Sequence, residues 1–122
     1  MSDQFRKAVA NICEKLPGSE CSDPWGGGHD AWKVGGKMYA CIGAVAEGVS
    51  IKCADIETAE MLKEAGVAVH APYFHKSWVR LPQTTDEAEL EARIRGSYDL
   101  IFAKLSAKVR RALLDPSSEE AA

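Results

Sequence analysis

Seven side chains have the types and spacing to work on a polyanion: Lys33, Lys37, Tyr39, Lys52, Lys76, Trp78 and Arg80. All fall on segments that alternate like strands or on the loops that join them. Lysines and arginines neutralise phosphates and release their counterions. Aromatic rings exposed on a sheet stack on unpaired bases, worth about 1–3 kcal/mol each. Catalytic chemistry has less to build on. His29-Asp30 lies beside Gly26-Gly27-Gly28, and His75 and Cys21 are further reactive side chains. Adjacent strand residues point to opposite faces, however, so His29 and Asp30 do not converge. No G-K-[ST] follows the glycines and no G-x-G-x-x-G opens a helix, so they are not a phosphate loop. The three histidines, His29, His70 and His75, lack metal-ligand spacing. Cys13, Cys21, Cys41 and Cys53 stand 8, 20 and 12 residues apart, without a C-x-x-C pair. That spacing predicts reduced thiols packed as small hydrophobes rather than zinc ligands or a disulfide framework. The expectation is a protein that is not an enzyme and carries no cofactor or metal.

The elements that must position these residues centre on Trp32–Gly43, WKVGGKMYACIG. Two β-patterned runs flank Gly35-Gly36, which signals a hairpin. A two-residue loop pairs Val34 with Lys37 and puts Lys37 on the face of Trp32, Val34 and Tyr39. A three-residue loop, Gly35-Gly36-Lys37, pairs Val34 with Met38 and Trp32 with Ala40. The second register gathers Trp32, Val34, Met38, Ala40 and Ile42 on one face and leaves Lys33, Tyr39 and Cys41 on the other. It separates apolar from polar better, and a one-residue slip would destroy that separation. The three-residue loop is therefore expected, with Trp32 in the core and Tyr39 on a basic outer face.

Around the hairpin, Phe5, Val9, Ile12 and Leu16 make one helical stripe and predict a helix over 3–16, ended by Pro17-Gly18. Residues 19–24 predict a short edge strand stopped by Pro24, and Trp25–Asp30 a flexible turn. Val49–Cys53 is a strand with Val49, Ile51 and Cys53 on one face. Asp55 caps a short helix that stops at Gly66. Val67–His70 reads as a strand with Val69 inward and His70 outward, and Ser77–Leu81 as another that Pro82 ends. A long helix is expected from Asp86 to Leu113, with Thr84 and Glu87 as a capping box and Gly96 softening its middle. Residues 115–122 read as a frayed tail.

Two long helices with one apolar stripe each, and strands with one apolar face each, bury most simply as helices on one side of an antiparallel sheet. The expected class is α+β, a single domain over 1–114. The other sheet face is then open and carries Lys33, Tyr39, Lys52, Trp78 and Arg80, with His70 nearby. The net charge of −3 and pI near 5.6 speak against a strong nucleic-acid binder. The charge is unevenly distributed: the strand-rich part of 25–82 holds Lys33, Lys37, Lys52, Lys76 and Arg80 against Asp30 and Glu47, while the helices are acidic. No 18-residue apolar run and no secretory h-region is present, so the expected location is cytoplasmic and not in a membrane.

Several stretches, taken together, resemble the MmcQ/YjbR family of small bacterial proteins. They are LPGSECSDPWG at 16–26, HDAWKVGGKMYACIG at 29–43, VSIKC at 49–53, APYFHKSWVRLP at 71–82 and SYDLIFAKLSAKVR at 97–110. The resemblance implies a frataxin-like (CyaY-like) α/β sandwich and a DNA-binding protein with a double-wing arrangement. The Gly26-Gly27-Gly28 run and the acidic total charge depart from that pattern. Frataxins bind iron on an acidic first helix; here Asp3 and Glu14 face Arg6, Lys7 and Lys15, so iron binding does not carry over. The expected function is modest, salt-sensitive DNA binding by Lys33, Lys37, Tyr39, Lys52, Lys76, Trp78 and Arg80, with the 35–37 tip as a wing. The alternative is a non-catalytic module that binds a protein or small molecule through Trp78, Tyr73 and Phe74.

Overall fold

The computed structural model describes residues 3–23, 26–44 and 48–114. The strand stop at Pro24, the start of the turn at Trp25, the acid Glu47 and the tail 115–122 lie outside the described residues. Helix α1 (Asp3–Cys13) is followed by strands β1 (Ser19–Ser22), β2 (Asp30–Val34), β3 (Lys37–Ile42) and β4 (Val49–Lys52). Helix α2 (Ile56–Glu64), strands β5 (Val69–His70) and β6 (Trp78–Leu81), and helices α3 (Glu87–Ala103) and α4 (Ala107–Leu114) complete it. The strands form one sheet in the order β1-β2-β3-β4-β6-β5, and every neighbouring pair is antiparallel. This is the α+β class read from the sequence. Helices α1 and α3 pack together, and α3 lies across β3 and β4.

The inner face carries the core: Trp32, Val34, Ala40, Ile42, Val49, Ile51, Val79 and Leu81 meet Phe5, Val9, Ile12, Leu90, Ile94, Tyr98 and Ile101. Arg6 ties α1 to the sheet, with an ion pair to Asp30 at 3.0 Å and a hydrogen bond to the Gly43 carbonyl. Asp55 caps α2 by accepting from Thr58 N–H, as the sequence implied. At α3 the cap is Asp86, which accepts from Glu89 N–H, rather than Thr84. The expected single helix to Leu113 is two helices. Ser106 breaks it, its hydroxyl accepting from Val109 N–H as a new N-terminal cap. Gly96 leaves α3 unbroken. Val69 does not point inward: it pairs with Arg80 on the outer face at an edge and is 43% exposed.

Candidate functional site

The hairpin uses a feature of each register considered for it. Its loop has two residues: Gly35 and Gly36 take φ of +57° and +81°, and Val34 pairs with Lys37. Yet Trp32 still pairs with Ala40, because Tyr39 is an extra residue bulged out between the Lys33–Met38 and Trp32–Ala40 pairs. The two-residue turn reverses two side chains relative to the three-residue loop expected, and the bulge then returns Ala40 and Ile42 to the core face. Tyr39 turns into the core and is fully buried. Met38, expected inside, lines the outer face. Tyr39 packs edge-on against Tyr98 at 5.3 Å and its hydroxyl hydrogen-bonds that of Ser19. It is therefore removed from the contact residues. Burial pushes its hydroxyl pKa up, and pushes the Cys13 thiol beside it to about 12.

The bulge also opens the β3–β4 ladder, and Ser97 of α3 closes it. The buried Ser97 hydroxyl donates to the Tyr39 carbonyl at 2.6 Å and accepts from Lys52 N–H at 2.9 Å. One helix side chain thus stands in for a strand partner. The three successive non-alternating residues Met38-Tyr39-Ala40 were the available sign of a bulge.

Across the outer face runs a row in register: Ala31, Cys41, Ser50, Arg80 and Val69. The first three are small and leave a trough in the sheet. The segment 72–74 borders it, giving a cavity of about 970 Å³. Met38, Cys41, Ser50 and Arg80 line it from the strands, Pro72, Tyr73 and Phe74 from the connecting segment, and His29 from the approach to β2. Tyr73 holds φ +72°, a conformation bulky residues rarely adopt, and its side chain is wholly exposed. Phe74 stacks on Trp78 with centroids 4.6 Å apart. Burial pushes the Cys41 thiol up to about 11, so it is a packed thiol rather than a nucleophile. Asp30 leaves its neighbour His29 and pairs with Arg6.

The remaining expected contacts divide three ways. Lys37 and Lys76 are exposed, and Lys33 is half-buried opposite Glu20. Lys52 is engaged: its Nζ donates to the Ser77 hydroxyl at 2.9 Å, and that hydroxyl lies 2.8 Å from His75 Nδ1. His75 Nδ1 also accepts from Ser77 N–H at 3.1 Å. Burial, and then the Lys104 charge, hold Lys52 below the ordinary lysine range. Trp78 and Arg80 are half-buried, Arg80 in the cavity. Reading the sequence missed Ser50, Cys41, Met38 and His29 as parts of one cavity. Among the described residues no three His, Cys, Asp or Glu side chains are grouped to hold a metal ion, and no helix is long and apolar enough to cross a membrane.

The YjbR family model matches residues 14–100. Among solved structures, the chain is similar to the Deinococcus radiodurans protein DR2400, whose domain is designated DUF419. The TM-score is 0.75 and the identity 26%, over 86% of this chain and 84% of that one. A comparison with curated proteins gives no match.

Proposed function

The chain belongs to the YjbR family, and from that premise we propose that it is a non-catalytic DNA-binding domain that favours single strands. The observation that carries this reading is a set of exposed groups: Lys37 at the hairpin tip, across from Val34 on the helix side of the sheet, and Lys76 and the wholly exposed Tyr73 on the 71–77 segment beside the outer face. Lysines there meet phosphates, and Tyr73 and the exposed part of Trp78 offer rings to unpaired bases. A concave face suits an unstacked strand better than the flank of a duplex. The protein's net negative charge keeps affinity modest.

Fluorescence anisotropy with a labelled oligo-dT and a duplex of equal length tests this. The single strand binds more tightly, and Lys37→Ala or Lys76→Ala each lowers the slope of log K against log salt by about 0.7, one phosphate's worth. Lys52→Ala has the smaller effect, because its ammonium is already held by Ser77. Absence of binding to either form at about 50 μM protein in low salt, within the ordinary range of non-specific affinity, rejects the proposal.

A further inference from the structure

We infer that the outer-face cavity is a site for a small aromatic carboxylate. The volume of about 970 Å³ lies within the range of small-molecule pockets. Its charge is one-signed: among the described lining residues there is one arginine, one histidine and no carboxylate. That is the reverse of the whole chain, which carries −3.

Arg80 sets the polar end. It is half-buried, its Nε is buried with no hydrogen-bond partner among the described residues, and none of the ion pairs between them uses it. A guanidinium Nε–H held from water without an acceptor is a costly arrangement that a carboxylate relieves by a charge-assisted, two-pronged contact. Ser50 stands directly across the strands from Arg80 and lines the same cavity, so its hydroxyl is a second donor to the same oxygens. The rest of the lining is suited to a flat apolar body. Met38 and Cys41 supply polarizable, uncharged surface, and Phe74, stacked on Trp78, supplies an aromatic wall. Gly48 borders the cavity too, at φ +107°, where a Cβ would collide with the Leu81 carbonyl oxygen. The close approach of that turn to β6 therefore depends on glycine.

Two near-isosteric probes isolate the charge: 2-naphthoate and the neutral 2-naphthamide, titrated calorimetrically. The carboxylate binds at least about tenfold more tightly in the unaltered protein, as expected for a hydrogen bond to a charged group. Arg80→Met brings the two within about twofold. Ser50→Leu fills the trough and removes binding of both, while leaving oligo-dT binding by Lys37 and Lys76 in place. A readout that needs no variant is the Arg80 Nε–H resonance, which moves downfield with naphthoate and not with naphthamide. Equal affinity for the two probes, a preference that survives Arg80→Met, an unmoved Nε–H resonance, or no binding heat up to about 1 mM probe overturns the inference. Loss of DNA binding alone leaves it standing, because the naphthoate preference is read at Arg80 and the DNA salt slope at Lys37 and Lys76.

Discussion

The two faces of this sheet treat interrupted hydrogen bonding in opposite ways. On the inner face, the Tyr39 bulge breaks the β3–β4 ladder, and the fold answers with Ser97, whose hydroxyl serves both freed backbone groups. On the outer face, Arg80 Nε is buried with no partner among the described residues, and the fold supplies none. Trp32 Nε1 is also an orphan among the described residues, but it lies among core side chains and does not line the outer-face cavity. At Arg80 an unanswered donor coincides with a cavity. Polar groups that serve the fold are paired within it; a polar group left over beside open space is available to something else.

The comparison breaks most easily at Tyr39, since the two faces predict different costs for one change. On an outer face, Tyr39→Ala would alter stability by about 0.5 kcal/mol or less. Buried against Tyr98 in the core, it costs about 3–5 kcal/mol, read from the shift of a urea midpoint. Next in size is Ser97→Ala. It strands the Tyr39 carbonyl and Lys52 N–H together, an expected loss of about 1–3 kcal/mol. The corresponding outer-face change, Ser50→Ala, leaves no backbone group unpaired and shifts the midpoint by about 0.5 kcal/mol at most. Equal losses from the two serines would show that the faces do not differ in the way described.

Much of the architecture was legible because it follows from periodicity. The stripe from Phe5 to Leu16, the alternation of Val49 and Ile51, and the Gly35-Gly36 turn each state an element and its buried side in local terms. The site was less legible because it turns on one residue of slippage. The three-residue loop put Tyr39 outside and Met38 inside; the two-residue turn reverses both, and a single bulge restores Ala40 and Ile42 to the core face. What stabilises the bulge is Ser97, 58 residues away in sequence, and no local pattern reaches that far. The cavity was hidden for a related reason. Ala31, Cys41, Ser50 and Arg80 come from four strands and become a row only when the registers are set. The lysines at positions 37 and 76 were legible by type, and their exposure follows from turns that the glycines and Pro72 already signalled.

The smallest expected effect sharpens the comparison most, because its sign is informative. If Arg80 serves the fold, Arg80→Met removes a useful interaction and destabilises. If Arg80 is kept for a ligand, the same change replaces a half-buried, unpaired cation with an apolar side chain of similar reach, beside Met38, Cys41 and Phe74. Removing such a charge is neutral or stabilising, and substitutions at functional positions commonly gain stability where function imposed a cost. The expected change is a gain of about 0–1 kcal/mol, measured as a raised urea midpoint with an unchanged slope. A loss above about 1 kcal/mol would mean that the guanidinium is part of the scaffold, and the contrast with Ser97 would then fail. The naphthoate preference separates the two cases in the same sample: a variant that is more stable and no longer discriminates carboxylate from amide has lost a recognition group and no structural one.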